Sequence, residues 1–225
     1  MKGKKMEINE RKRLAALHSL KHVPDEGVLG VGTGSTVNYF IEGLAKNPAQ
    51  PDSIVSSSQQ TTDLLRQNGY DPLDINQVTQ IDVYVDGADF VNQKGVCIKG
   101  AGGAMTREKL LAAMSKTFIC IIDDSKLCTT FPEDAVIPVE VLVEARSFVA
   151  REITKKGGFP LLREGFISDN GNPVLDVYEL DLLNLEKTTH WLDRICGVVG
   201  HGLFFDQKAA RLIIGREKQV EELNF

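Results

Sequence analysis

At 225 residues, with 42% hydrophobic and 25% charged residues, the chain has the makeup of a globular protein of one large or two small domains. Its net charge of −5 argues against a broad nucleic-acid surface, which needs clustered basic residues, yet leaves room for a small anion held at a local positive site. No apolar run approaches the roughly 18 to 20 residues of a membrane span. The opening MKGKKMEINE has lysines but no apolar h-region, so it does not read as a secretory signal, and its first residues are expected to be disordered.

Leu14 and Leu17 share one face of a helix predicted over 8–20, which Pro24-Asp25-Glu26-Gly27 ends. Val28 to Val31 reads as a short buried strand. Gly32-Thr33-Gly34-Ser35-Thr36 then leads into a helix with Val37, Phe40, Ile41 and Leu44 on one stripe. Such a loop suits an anion, because glycine lets the backbone approach and free N–H groups with the helix dipole favour phosphate. Hydroxyls of Thr33, Ser35 and Thr36 add donors. On spacing alone it reads equally well as a tight βα turn capped by Ser or Thr. Ser35 occupies the third glycine's place of GxGxxG, and no GK[ST] follows, so dinucleotide and Walker-type binding are poorly supported.

Ile54 to Ser56 is the next predicted strand, and 57–62 a polar loop into a helix ending near Asn68-Gly69. Asp82 to Val85 is a third strand, broken abruptly by Asp86-Gly87-Ala88-Asp89. A second short apolar run, Val96 to Ile98, precedes Lys99 and Gly100-Ala101-Gly102-Gly103. A helix opening at Thr106 carries Glu108 in its first turn and is expected to bury Leu110, Leu111 and Met114. Thr117 to Ile122 is a fourth strand, with Asp123-Asp124-Ser125-Lys126 at its end. Singly, these polar residues have ordinary explanations: Asp-Gly is turn chemistry, and Glu108 complements the macrodipole. Together they gather at successive strand ends, where ligands bind in open α/β sheets.

From about residue 131 the pattern changes to strand, helix, strand, strand, helix, strand: 136–143, 144–156, 159–163, 174–178, 185–195 and 198–205. Asp169-Asn170-Gly171-Asn172 is read as a hairpin turn, since Asn-Gly fits type I′. Residues 209–214 form a last strand of the first domain, and no role is assigned to 216–225. The predicted fold is α/β: a Rossmann-like doubly wound, largely parallel sheet over 1–130 and 207–225, with a smaller inserted ferredoxin-like α+β domain over 131–206.

Cys97, Cys120, Cys128 and Cys196 are sparse and form no CxxC, which points to buried reduced thiols in a cytosolic protein. His18 and His22 have helical spacing, but nothing completes a metal ligand set.

VDGAD at 85–89, IKGAGGA at 98–104 and TREK at 106–109 resemble ribose-5-phosphate isomerase of the metal-independent type, A. GVGTGSTV at 30–37, SSS at 56–58, DDSK at 123–126, PVEV at 138–141 and DNGN at 169–172 extend the resemblance over nearly the whole chain in family order. The resemblance implies interconversion of D-ribose 5-phosphate and D-ribulose 5-phosphate through an enediolate, with no cofactor and no metal. It makes Glu108 the base and Lys99 the cation that stabilises the enediolate oxygen. Asp86 and Asp89 would hold sugar hydroxyls and move protons during ring opening. Thr33, Gly34, Ser35 and Thr36 would line the substrate site together with Gly87, Ala88, Gly100, Ala101, Gly102 and Lys126, with Ser57 and Ser58 as second-rank candidates. It further implies a homodimer or a dimer of dimers, with the inserted domain at the contact; the charge, the apolar runs and the thiols add the expectation of a cytoplasmic enzyme with no nucleic-acid or membrane partner.

Two positions depart from the family pattern. Phe90 stands where a glutamate usually follows DGAD, and Ala101 interrupts the glycine run. Phe90 is the main support for a second reading, a sugar-phosphate-binding sensor or regulator without turnover. A third, a coenzyme A transferase of the same broad fold, is not suggested by the motif order.

Overall fold

The computed structural model describes the backbone of residues 2–225 and the side chains from residue 8 onward. In chain order the first elements are α1 (Lys2–Ser19), β1 (Val28–Val31), α2 (Ser35–Leu44), β2 (Ser53–Ser56), α3 (Gln59–Gln67), β3 (Ile81–Asp86), β4 (Phe90–Asn92), β5 (Cys97–Ile98), α4 (Met105–Met114), β6 (Ser115–Asp123) and β7 (Leu127–Cys128). Then follow β8 (Ile137–Val141), α5 (Arg146–Lys155), β9 (Phe159–Leu162), β10 (Val174–Tyr178), α6 (Leu185–Asp193), β11 (Val198–His201), β12 (Leu203–Phe204), β13 (Arg211–Gly215) and β14 (Val220–Asn224). The opening residues, expected to be disordered, are helical from Lys2 on; Met1 lies outside the described residues.

The main sheet has six strands in the order β14-β13-β6-β3-β1-β2. All its pairings are parallel except that of the edge strand β14. The chain moves one way from β1 to β2 and the other way to β3, so the topological switch point lies between the C-terminal ends of β1 and β3. Strands buried on both faces need apolar residues on both, and β6 with Phe118 to Ile122 is of that kind. On one face Leu29, Val85 and Ile119 pack against Ala15 and Ala16 of α1, Val37 and Phe40 of α2, and Leu65 of α3. On the other, Tyr84, Cys120 and Leu212 meet Met105 and Leu111 of α4 and Phe204. Each fully buried large side chain contributes about 1.5–3 kcal/mol. A small sheet, β12-β5-β4-β7, flanks this second face.

The α+β unit is a four-stranded antiparallel sheet in the order β11-β8-β10-β9, which is the strand order of a ferredoxin-like unit. Val139, Leu175, Val149, Ile153 and Leu192 make its core. Mixed α/β architecture with a largely parallel sheet is therefore as read from the sequence, and the small antiparallel sheet fits an inserted domain.

Several local expectations are corrected. Residues 198–205 are two strands in different sheets. At Gly202 the chain crosses over, its N–H donating to Pro138 and its carbonyl accepting from Lys99. The type I′ hairpin is absent, because of Asn170 and Gly171 only the glycine has positive φ. Instead Gly171 N–H closes a turn on the Ser168 carbonyl inside a long loop between β9 and β10. Gln59 to Thr62 belong to α3, not a loop, with the Ser58 hydroxyl as N-cap accepting from Thr61 N at 3.1 Å. Leu110 is 47% exposed, whereas Leu111 is buried. Cys97 and Cys120 are buried, Cys128 is partly so, and Cys196 is exposed; all four are free. Among the described residues no helix is long and apolar enough to cross a membrane.

Candidate active site

Strand β3 delivers Asp86 to the switch point with no exposed surface. Burying a carboxylate requires partners. Its Oδ1 accepts from Thr33 N at 3.0 Å and Gly87 N at 2.7 Å. Its Oδ2 accepts from the Tyr84 hydroxyl and pairs with Lys99 Nζ at 2.8 Å. Gly32 has a specific reason here: a Cβ at that position would come within 2.0 Å of the Asp86 carboxyl. The glycine lets the chain approach its own aspartate rather than a ligand. Burial, then the Asp86 charge, pushes the Tyr84 phenol well above the usual range, so Tyr84 keeps its proton and donates it to Asp86.

Lys99 follows β5 and is itself buried. Besides Asp86 it donates to the Gly87 carbonyl, stands 3.4 Å from Glu108 Oε2, and lies 5.6 Å from the centre of the Phe204 ring. Burial alone would lower its proton affinity. The Asp86 and Glu108 carboxylates outweigh that and hold it above the ordinary lysine value, so it is an ammonium.

Glu108 sits in the first turn of α4, buried, with Oε2 lacking a hydrogen-bond partner. The 3.4 Å to Lys99 is an ion-pair distance, longer than the roughly 2.7–2.9 Å of a charge-assisted hydrogen bond. Burial pushes this carboxyl up to about 8; Asp86 pushes the same way, Lys99 pulls it back, and Asp89 adds a smaller push upward.

Glu108 and Lys99 open onto a cavity of about 310 Å³. The loop after β1 contributes Thr33, Gly34, Ser35 and Thr36, and the start of α3 contributes Ser58 and Gln60. Gly87, Ala88 and Asp89 form another part of the wall, and Gly100, Ala101 and Gly102 a third. Asp89 Oδ2 accepts from Ala101 N at 2.9 Å, tying the two loops together. Asp123 and Lys126 line the end of β6. Lys126 Nζ lies 5.7 Å from the centre of the Phe90 ring, so a cation–π contact occupies the place where the family pattern has a carboxylate.

Two expected residues are not on the cavity wall. Asp86 is sealed behind Lys99, so of the two aspartates only Asp89 faces the cavity. Ser57 is fully buried, its N–H donating to the Val31 carbonyl. Conversely, Lys12 of α1 reaches the cavity and donates to Ser35 Oγ at 2.9 Å. In the sequence it stands between Arg11 and Arg13 and reads as a solvated helix face. Phe166, Ile167 and Asp169 also reach the wall from the β9–β10 loop. Asp169 accepts from Gln59 N at 2.8 Å, and Arg107 donates to the Asp169 carbonyl and to Asn170 Oδ1, both at 2.7 Å. The DNGN segment was the only sequence signal for that loop. Among the described residues no three His, Cys, Asp or Glu side chains form a metal-binding cluster. His18 and His22 instead face Glu222, at 3.2 and 3.3 Å.

The ribose 5-phosphate isomerase A (phosphoriboisomerase A) family model matches residues 53–219. Among solved structures, ribose 5-phosphate isomerase A from Neisseria gonorrhoeae is 36% identical with a TM-score of 0.93, covering 96% of this chain and 97% of its own. A D-ribose-5-phosphate isomerase in complex with phospho-erythronic acid is 32% identical, with a TM-score of 0.90 and coverage of 97% and 99%. Ribose 5-phosphate isomerase A from Methanocaldococcus jannaschii is 30% identical, with a TM-score of 0.89 and coverage of 96% and 99%. A chain matched over this length, with a lysine and a glutamate buried side by side at the switch point of its sheet, belongs to the ribose 5-phosphate isomerase A family and is an enzyme of that kind.

Proposed function

We propose that the cleft interconverts D-ribose 5-phosphate and D-ribulose 5-phosphate with Glu108 as the single base. One observation carries this reading: Glu108 lines the cavity and holds a buried carboxyl oxygen without a hydrogen-bond partner beside a buried ammonium. Glu108 takes the proton from C2 of the open aldose and returns it to C1. Burial brings its proton affinity close to neutrality, where both transfers are efficient. Lys99 stabilises the enediolate oxygen. Asp89, on the wall, takes sugar hydroxyls and the proton traffic of ring opening, while Asp86 holds Lys99 and the Thr33 and Gly87 backbone in place. Lys12, Ser35, Thr36 and Lys126 make the phosphate end. Phospho-erythronic acid, bound in the relative, has a planar carboxylate like the two oxygens of an enediolate. The sensor reading is not favoured, since Phe90 leaves Glu108, Lys99 and Asp89 in place.

The test is ribulose 5-phosphate formation with a chelator present, followed over pH. Turnover needs ionised Glu108, so kcat/KM rises about tenfold per pH unit below neutrality and levels off above about 8. Lys12→Ala raises KM with little change in kcat. No turnover by folded protein, or turnover abolished by the chelator, sinks the proposal.

Residues 131–206 serve as a separate domain at the contact of a homodimer or dimer of dimers. Phe159, Leu161 and Leu162 stand exposed along its edge strand β9, an apolar surface that a second copy would cover. A sedimentation mass of one chain at micromolar concentration would refute this. The four free thiols support a cytoplasmic location, checked by cell fractionation.

A further inference from the structure

Strand β8 carries Glu140, a carboxylate with no exposed surface that lies apart from the reacting groups. Its partners come from two directions. From α4, the Thr106 hydroxyl donates to Oε2. From the β9–β10 loop, the Ser168 hydroxyl and Asn172 Nδ2 each donate to Oε1 at 2.8 Å, and Asn170 Nδ2 spans both oxygens at 3.1 and 3.2 Å. All four partners are neutral. A carboxylate accepts about four hydrogen bonds and donates none, so it is matched to this ring of hydroxyls and amides. An apolar side chain would fill the space but leave these donors unsatisfied, which is costly in a buried site.

The neighbouring strand is shaped to admit the contact. Gly200 of β11 lies opposite Glu140, next to a register shift, and a Cβ there would come within 2.6 Å of Thr106 Oγ1. Thr106 thus reaches Glu140 through a gap that only glycine leaves. It stands two residues before Glu108. The loop held by the other three partners carries Phe166, Ile167 and Asp169 on the cavity wall.

We propose that Glu140 is a positioning residue joining the two sides of the cleft. Through Thr106 it fixes the turn of α4 from which the base projects. Through Ser168, Asn170 and Asn172 it holds the 166–169 wall against bound sugar phosphate. This rests on the isomerase reading above.

Thr106→Val cuts the first tie, Ser168→Ala weakens the second by removing one of its four bonds, and Glu140→Gln disturbs both, by setting an amide donor against donors. Thr106→Val lowers kcat about tenfold with KM within about twofold, because the base is misplaced. Ser168→Ala raises KM about fivefold with kcat within about twofold. Adding Thr106→Val to Glu140→Gln changes little, as expected for a shared interaction. Amides of 166–172 exchange about tenfold faster in Ser168→Ala and Glu140→Gln than in the wild type. Val177→Ala, in the core of the same unit, lowers the melting temperature and leaves kcat and KM alone. Equal changes in kcat and KM for the two single variants, neither parameter moving, or the same split from Val177→Ala would overturn the proposal. Absence of wild-type turnover would defeat the isomerase reading instead, and unchanged exchange in Glu140→Gln would still overturn the tie.

Discussion

Glu108→Gln lowers kcat by at least about a hundredfold while raising the melting temperature at neutral and alkaline pH. The first part follows from general-base catalysis, worth about 10²–10⁴ in rate, since the amide keeps the shape and cannot accept the proton. The second follows from burial. The carboxyl is held at about 8 in the folded chain against a reference value of 4.5. Below about 4.5 it is protonated in both folded and unfolded chains, and Gln is a close neutral substitute. Between 4.5 and 8 the unfolded chain gains by ionising while the folded chain does not, so wild-type stability falls through this window and levels off above it. Each unit of difference corresponds to about 1.4 kcal/mol, which bounds the gain for the variant at several kcal/mol. Thermal unfolding of both proteins at pH 5 and pH 8.5 checks this. A gap between them that stays flat with pH would remove burial of the base as the source of its high proton affinity. Near-normal turnover would remove Glu108 as the base.

The groups of this site that were legible in the sequence are carried by short local segments. Asp86 to Asp89, Lys99 to Gly102 and Glu108 each follow a strand or open a helix, so the sequence order of apolar run and polar break places them at the same sheet edge. What was not legible depends on contacts between distant segments. Nothing near Lys12 marks it off from the charged residues around it; only the packing of α1 beside α2 brings it to Ser35. Asp86 reads like Asp89 in the motif, yet Asp86 ends β3 among backbone donors, whereas Asp89 lies in the loop beyond the strand, at the wall. Asn170-Gly171 has the composition of a two-residue turn, but Glu140 binds Asn170 and Asn172 and turns the loop to the cleft. In the tail, VEELN carries no buried face of its own and so gives no element signal in the sequence. It becomes strand β14 by pairing with β13, and Glu222 there accepts from Arg211 and Lys21 beside His18 and His22.

Lys99→Met is the substitution with the largest combined cost. Methionine keeps an unbranched stem and removes the charge, and with it the ammonium's contact over the Phe204 ring. Asp86 then keeps Thr33 N, Gly87 N and the Tyr84 hydroxyl but loses its cation in a fully buried site. Breaking a buried ion pair from one side costs about 3–5 kcal/mol, because the remaining charge is uncompensated. Turnover falls by at least about 10²–10³, the effect of losing one preorganised group at a developing oxyanion. A further loss comes through the base: Lys99 pulls the Glu108 proton affinity down, so without it Glu108 stays protonated to higher pH and the pH–rate profile moves in the alkaline direction. Adding Asp86→Asn removes the stranded charge. The double variant therefore recovers most of the stability lost by Lys99→Met and none of its activity. Denaturant unfolding separates these effects from the kinetics. If the double variant is no more stable than Lys99→Met, packing rather than charge dominates at this site. If Lys99→Met turns over within tenfold of the wild type, the enediolate is stabilised elsewhere, and the 2.8 Å contact between Lys99 and Asp86 is an architectural tie that the chemistry does not use.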